Sequence, residues 1–154
     1  LQCFGLRPDK KFILPIHPKK INNEVIIHPG SGSKNKNFSI DFFLELTEQL
    51  QNNHLKVRWC LGPAEKELSI PRGILTLKIE ELTKLAEYIA GASAYIGNDS
   101  GISHLAGAIG IKTIVLFRST NPKIWSPLGP CVFTFTNETL CVNKILKIIS
   151  DNSL

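Results

Sequence analysis

Three polar loops of this sequence carry side chains that could hold a phosphate-bearing ligand. Residues 28–36 form a loop rich in glycine and serine whose two lysines suit the negative charge of a phosphate. Residues 62–67 place a carboxylate after a Gly-Pro turn, where it could accept hydrogen bonds from ribose hydroxyls. Residues 97–104 lead into a helix, and the free N–H groups at a helix start favour an anion. Together the loops predict a site for a nucleotide with a pyrophosphate, and its candidate side chains are Lys34, Lys36, Glu65 and His104.

Each of these side chains also has an ordinary structural role open to it. Loop lysines are commonly solvated, and Glu65 could be a first-turn acid that the helix dipole favours. His104 could hydrogen-bond within its own helix. Asp99 or Ser100 could serve only as the N-cap of the helix that follows, as these residue types often do. The functional interpretation therefore depends on whether the fold brings the loops together.

The apolar pattern of the chain predicts that the loops share one edge of a parallel sheet. Short apolar runs alternate with stretches of helical period, which is typical of βαβ units with helices on both faces of the sheet. The fold prediction is α/β, a three-layer, Rossmann-like parallel sheet, in which ligands bind where the carboxyl ends of the strands meet. The predicted strands are residues 25–28, 55–61, 74–77, 94–96, 113–117 and 131–135, the predicted helices are residues 39–53, 82–90, 102–109 and 142–149, and residues 119–129 are predicted as a loop.

The composition is that of an ordinary soluble globular protein. Hydrophobic residues make up 43% of the 154 residues and charged residues 20%, and no apolar run approaches the ~18 residues of a membrane span. Lysine and arginine exceed the acids by 18 to 13, a net charge of +5, but they lack the aromatic interleaving of a nucleic-acid surface. A phosphate-bearing ligand or an anionic membrane face suits this charge better than nucleic acid does, and we expect a cytoplasmic location.

The cysteines and histidines show no metal-ligand spacing. The four cysteines are Cys3, Cys60, Cys131 and Cys141. They form no C-x-x-C pair and fall partly in apolar runs, so we expect buried, reduced thiols and not zinc ligands or disulfides. His28 and His104 could meet in space, but no third ligand has a fitting position. We therefore expect neither a bound metal nor a cofactor.

Several motifs follow one another in the order typical of one enzyme family. They are His28-Pro29-Gly30-Ser31, Lys36-Asn37-Phe38-Ser39, Gly62-Pro63-Ala64-Glu65, Gly97-Asn98-Asp99-Ser100-Gly101 with His104-Leu105-Ala106, and Leu116-Phe117 with Thr120, Pro122, Trp125 and Pro127. This series, over residues 25–130, resembles glycosyltransferase family 9, the ADP-heptose:lipopolysaccharide heptosyltransferases. The resemblance implies the C-terminal, donor-binding half of a GT-B fold. This sequence departs from the family where Phe38-Ser39 replaces Trp-Pro, where Lys112 replaces proline and where Arg118 replaces glycine.

The resemblance implies an inverting enzyme that transfers heptose from ADP-heptose to the inner core of lipopolysaccharide. The reaction would take place at the cytoplasmic face of the inner membrane, without a required metal. Lys36 would face the phosphates or the sugar of the donor, and Glu65 would hold the adenosine ribose. The remaining expected positions are Asp99 in the donor pocket, Ser100, Gly101 and Ile102 with their backbone at the pyrophosphate, His104 beside it, and Ser31, Lys34 and Arg118 as further candidates.

The predicted organisation is an arm followed by one binding domain. Residues 1–24 contain three prolines and no sustained period, so we expect a linker from an N-terminal domain, and residues 25–154 form the donor-binding domain. The sequence contains no methionine, even at position 1, which predicts a piece of a longer protein. The family's catalytic base and its contact with the lipopolysaccharide acceptor would lie in the other half. Two alternatives stay open: a non-catalytic nucleotide-sugar binding module, and another GT-B nucleotide-sugar enzyme such as an epimerase.

Overall fold

Six parallel strands form a single sheet with the order β3-β2-β1-β4-β5-β6 in the computed structural model, which describes residues 13–62, 65 and 68–151. The strands are β1 (Glu24–His28), β2 (Lys56–Cys60), β3 (Thr76–Leu77), β4 (Ala94–Asn98), β5 (Lys112–Phe117) and β6 (Val132–Thr136). Every neighbouring pair is parallel, so all six carboxyl ends lie at one edge. The predicted α/β, Rossmann-like fold is confirmed.

Helices cover both faces of the sheet. They are α1 (Ile40–Asn52), α2 (Leu82–Ala90), α3 (Gly101–Ile109), the single turn α4 (Pro122–Trp125) and α5 (Val142–Ser150). The first and the last of these bury their apolar stripes against one face, over fully buried strand residues such as Ile27 and Ile96. The other face packs against α2 and α3, around the fully buried Ile26 and Tyr95. The central strands β1 and β4 are therefore buried on both sides, as expected for a parallel sheet.

One predicted loop contains a helix that the sequence analysis did not anticipate. Residues 119–129 include α4, which begins after Asn121 and has Pro122 at its first position. The Asn121 side chain accepts a hydrogen bond from the Lys123 N–H at 2.9 Å, a regular N-cap contact. A single turn is too short to show an apolar period, so only these capping residues could have indicated it.

The segment before β1 lies along the second helical layer. Residues 13–23 contain no helix or strand, yet the Leu14 N–H donates to the Ala108 carbonyl and the Asn22 N–H donates to the Gly91 carbonyl. A Cβ on Gly91 would lie 2.2 Å from the Lys20 carbonyl oxygen, so glycine is required there for the chain to pass. Residues 1–12 lie outside the described residues, and the role of the whole segment as an inter-domain linker stays a prediction.

The expectation of uniformly buried thiols is wrong for two of the cysteines. Cys60 is buried in β2, and burial raises the pKa of its thiol to about 11. Cys131 and Cys141 are only half-buried, because one precedes the edge strand β6 and the other lies at the N-terminal end of α5. Cys3 lies outside the described residues. None of the described helices combines the length and the apolar character needed to cross a membrane.

Candidate functional site

The buried side chain of Asn98 connects two of the three polar loops at the carboxyl edge of the sheet. Asn98 is the last residue of β4 and is fully buried. Its Oδ1 accepts a hydrogen bond from the Phe38 N–H at 3.1 Å, and its Nδ2 donates to the Pro29 carbonyl at 2.7 Å. Sequence reasoning assigned Asn98 no role, although an amide at the end of a buried strand must find partners in a neighbouring loop. The first and third loops are thus held together, as predicted.

Asp99 is the centre of a polar cluster next to this amide. Its side chain is 5% exposed, and its Oδ2 accepts hydrogen bonds from the Lys36 Nζ at 3.0 Å and from the Thr120 hydroxyl at 2.7 Å. The Nε2 of His104 lies 3.9 Å from the other carboxylate oxygen. The structure therefore brings together the predicted Lys36, Asp99 and His104 and adds Thr120, which appeared in the sequence only as part of a motif.

Helix α3 begins directly after this cluster. Ser100 is its N-cap, and the Ser100 hydroxyl accepts a hydrogen bond from the Ser103 N–H at 3.3 Å. Of the two residues that the capping alternative named, Ser100 therefore fills the role, and the Oδ2 of Asp99 instead accepts from Lys36 and Thr120. A Cβ on Gly101 would meet no atom within 4 Å, so the space beside the first residue of the helix is open. The first N–H groups of a helix have no intrahelical acceptor.

Glu65 lies on the second loop with one of its two oxygens committed. Its side chain is 4% exposed, and its Oε2 accepts a hydrogen bond from the Gly62 N–H at 2.6 Å and lies 3.7 Å from the Nε2 of His28. Burial alone would raise the pKa of this carboxyl, but His28 and the Gly62 N–H outweigh it, so the pKa lies below its ordinary value. The other oxygen, Oε1, is buried without a hydrogen-bond partner among the described residues. The group is therefore an ionised acceptor with one oxygen free.

Gly30 lies directly against that free oxygen. A Cβ at position 30 would lie 1.4 Å from the Glu65 Oε1, so any side chain there would displace the carboxylate. Gly32, in the same loop, would place a Cβ in open space. The first glycine of the loop is thus required by the approach of Glu65, and the second is not.

A cavity of about 660 Å³ opens beside Gly30 and Glu65. Its walls are partly apolar, and Lys34 and Arg118 supply positive charge. The described residues that line it are Pro29, Gly30, Lys34, Asn37, Phe38, Ser39, Ile40, Glu65, Leu68 and Arg118. The Arg118 Nη1 donates to the Asn37 carbonyl at 3.0 Å, which holds the guanidinium at the end of β5. The Lys36 and Asp99 cluster does not line this cavity, so the predicted residues form two neighbouring groups along one edge.

Ser31 differs from the other candidates because its hydroxyl is turned inward. The residue is 8% exposed, and its Oγ donates to the Asn37 Oδ1 at 2.6 Å and accepts from the Ser33 N–H at 3.3 Å. These contacts shape the loop that leads to the 3-10 turn Lys34–Lys36. A second cavity, of about 770 Å³, lies at the amino edge near Arg58 and Tyr88 and includes none of the predicted site residues. Within the described part of the chain, no three His, Cys, Asp or Glu residues are arranged to hold a metal ion.

The family model described as glycosyltransferase family 9 (heptosyltransferase) matches residues 9–148. Lipopolysaccharide heptosyltransferase 1 of Pseudomonas aeruginosa is 32% identical over 114 residues, which are 68% of this chain and 31% of that protein. Lipopolysaccharide heptosyltransferase 3 of Escherichia coli K12 is 29% identical over 121 residues, which are 72% of this chain and 35% of that protein. The chain thus spans about a third of the length of these curated relatives.

Solved structures of two Escherichia coli enzymes share the fold. Heptosyltransferase WaaC with ADP superposes with a TM-score of 0.73 at 18% identity and covers 89% of this chain and 46% of that chain. ADP-heptose lps heptosyltransferase II gives a TM-score of 0.70 at 18% identity, over 88% of this chain and 46% of that one. Each match spans less than half of the solved protein.

Proposed function

Because the chain belongs to glycosyltransferase family 9, we propose that it is the part of a heptosyltransferase that binds the nucleotide-sugar donor, with ADP-heptose as that donor. The observation that carries this proposal is the buried Oε1 of Glu65, which has no hydrogen-bond partner in the described part of the chain, on a residue that lines the cavity. An ionised acceptor without a partner in a buried position is costly unless a ligand donates to it. Vicinal ribose hydroxyls are donors of the required kind.

The nucleoside would occupy the cavity beside Glu65. Its volume of about 660 Å³ falls within the ordinary range for small-molecule sites, and its walls combine apolar side chains with a few polar ones. Phe38 and Leu68 offer apolar surface for a base, while Glu65 accepts from the ribose. Lys34 and Arg118 at the same cavity add positive charge for an anionic ligand.

The diphosphate would lie at the start of α3. Residues 100–102 supply N–H groups at the positive end of the helix dipole, which stabilises an anion. Lys36 would contact the phosphates from its position on Asp99, and His104 would lie beside them. The ring of His28 lies between Glu65 and Ser100, so only the width of this ring separates the proposed ribose and phosphate positions. One nucleotide could occupy both.

The transfer itself belongs to the proposal for the whole protein. We expect an inverting transfer of heptose to the lipopolysaccharide inner core, with no cofactor and no required metal. The base that activates the acceptor, and the surface that contacts the acceptor, would lie outside this chain. Peripheral contact with the cytoplasmic face of the inner membrane follows from the same expectation.

Calorimetric titration of this chain with ADP, UDP and GDP tests the donor class. We expect binding of ADP and weaker binding of the other two, since the proposed donor carries adenine. Glu65→Gln is the matched variant, because the amide keeps the length of the side chain and an oxygen for the Gly62 N–H but removes the charge. It should weaken ADP binding about tenfold or more, the range of a hydrogen bond to a charged group. Equal ADP affinity of the two proteins would contradict the assignment of Glu65, and a preference for UDP or GDP would favour another GT-B enzyme.

A further inference from the structure

A buried chain of polar groups connects Glu65 to the start of α3 through His28. The His28 side chain is 8% exposed; its Nε2 lies 3.7 Å from the Glu65 Oε2, and its Nδ1 lies 3.1 Å from the Tyr95 hydroxyl and 3.4 Å from the Ser100 Oγ. The Ser103 hydroxyl lies 3.2 Å from the Tyr95 hydroxyl and 3.1 Å from the Ser100 Oγ. His28 is the last residue of β1, so a strand end in the middle of the sheet fixes its backbone.

The donors and acceptors around His28 limit where the protons of these polar groups can lie. The Ser103 hydroxyl donates to the Asn98 carbonyl at 2.6 Å, so its oxygen can only accept from Tyr95 and Ser100. Each of those two hydroxyls has one proton to give, to Ser103 or to the Nδ1 of His28. One of them can therefore donate to the Nδ1, and in that arrangement a neutral ring carries its proton on Nε2.

The carboxylate selects the same arrangement. A neutral ring protonated on Nδ1 would turn the Nε2 lone pair toward the Glu65 Oε2 at 3.7 Å, and two electron-rich atoms would face each other. A doubly protonated ring also carries an Nε2–H. In both remaining states an N–H points at Oε2, which already accepts from the Gly62 N–H at 2.6 Å. Two donors thus converge on the Oε2 of Glu65, while no described residue donates a hydrogen bond to its Oε1.

We propose that His28 is a positioning residue, whose Nε2–H holds the Oε2 of Glu65 and so presents Oε1 to a hydroxyl of the bound nucleotide, while its Nδ1 ties the same ring to Ser100 at the start of α3. At 3.7 Å the contact with Oε2 is electrostatic, and it can shorten when a ligand binds, as polar contacts in unliganded sites often do. The inference rests on the proposed function, since it assigns to Glu65 the ribose of the donor. It makes ribose recognition depend on a residue that does not touch the ribose.

Gly97 leaves space for the hydroxyl group that contacts the Nδ1 of His28. A Cβ on Gly97 would lie 2.6 Å from the Tyr95 hydroxyl, so only glycine leaves that hydroxyl its place beside His28. Tyr95 is fully buried, and burial raises the pKa of its hydroxyl far above the ordinary value, so Tyr95 keeps its proton. The ring therefore has a fixed partner on its Nδ1 side.

Two amide variants separate the contacts of the ring. His28→Gln can still reach Glu65 with an N–H, whereas His28→Asn is too short to do so but keeps a polar group near the position of Nδ1. Each protein would be titrated calorimetrically with ADP and with 2′,3′-dideoxy-ADP, after its fold has been checked by urea unfolding. The wild type should prefer ADP about tenfold or more, the range of hydrogen bonds to a charged acceptor. His28→Gln should keep most of that preference, and His28→Asn should bind the two nucleotides within about twofold of each other.

The outcomes distinguish this inference from the proposed function. A folded His28→Asn protein that keeps the wild-type preference overturns the positioning role and leaves ADP binding intact. A wild type that does not bind ADP, or that binds both nucleotides equally, overturns the donor assignment and the inference with it. Nitrogen-15 NMR of the wild type is independent of any variant: a His28 ring that carries a proton on Nε2 supports the proposal, and a neutral ring protonated only on Nδ1 overturns it.

Discussion

Gly30→Ala tests whether Glu65 and the proposed nucleotide depend on the same space at the edge of the sheet. The added Cβ would lie 1.4 Å from the Glu65 Oε1, so the carboxylate must move. Since the φ of Gly30 is not in the left-handed region, alanine fits the backbone itself. The cost therefore comes from the displaced side chain.

The magnitude follows from the contacts that Glu65 would give up. Its hydrogen bond from the Gly62 N–H, at 2.6 Å, is one to a charged group and contributes about 1.5–3 kcal/mol. Replacing glycine by alanine at a compatible position offsets about 0.4–1 kcal/mol of this through the unfolded chain. Gly30→Ala should lower the free energy of unfolding by about 1–2 kcal/mol. Because the displaced carboxylate no longer presents Oε1, ADP affinity should fall about tenfold or more.

Urea unfolding and calorimetry with ADP measure the two effects. Gly32→Ala is the matched control, since a Cβ there meets no atom within 4 Å and both quantities should stay near the wild type. In a Glu65→Ala background the obstacle is gone, so Gly30→Ala should no longer destabilise the protein. If Gly30→Ala behaves like Gly32→Ala, or costs the same stability with and without the Glu65 side chain, the reasoning is refuted.

Three further predictions follow from the other contacts. Lys36→Met removes the positive charge that pairs with the buried carboxylate of Asp99 next to the proposed diphosphate, so ADP affinity should fall about tenfold or more. Adding Asp99→Asn should restore part of that affinity in the same titration. Ser100→Asp keeps an N-cap acceptor and should leave the urea midpoint nearly unchanged, but its charge should abolish measurable ADP binding, whereas Ser100→Ala should cost about 1 kcal/mol of stability. Arg58 donates hydrogen bonds to the Glu24 carboxylate at 2.7 and 2.8 Å and lowers the pKa of that carboxyl below 4.5. The stability that the ionised Glu24 contributes is therefore complete above pH 4.5, and it is lost as the pH falls through the lower pKa of the folded protein. The stability difference between wild type and Glu24→Gln, from urea unfolding at several pH values, should shrink below pH 4.5, and a constant difference would contradict it.

The sheet could be predicted from the sequence because its signals are local. Each central strand is a short apolar run between polar turns. The capping residues Ser39 and Ser100 indicate where α1 and α3 begin. The bounds of the strands differ from the prediction by one or two residues. For example, β1 starts at Glu24, a charged residue that is not typical of a buried strand, because Arg58 on the neighbouring strand neutralises its charge. Such a compensation between neighbouring strands leaves no mark on the sequence around either residue.

The sequence could indicate which residues lie at the candidate site better than it could indicate which of them contact each other. Loop position at the carboxyl edge is a property of the topology, so Glu65, Lys36 and Asp99 could be named together once a parallel sheet was inferred. Which side chain meets which depends on rotamers and loop paths that have no periodic pattern. The pairing of Lys36 with Asp99, the inward turn of Ser31 and the free oxygen of Glu65 therefore required the structure.

The polar residues that end the two central strands explain why three separate loops keep one geometry. His28 closes β1 and Asn98 closes β4, and both are buried because helices cover the sheet on both faces. A buried polar side chain must find partners, and at a strand end many of the groups within reach belong to the loops. Asn98 therefore holds the backbone at Pro29 and Phe38, and His28 meets Glu65 on one side and Ser100 on the other. The burial that stabilises the sheet thus also orders its carboxyl edge, so binding of the proposed nucleotide there would cost less conformational entropy than binding to free loops.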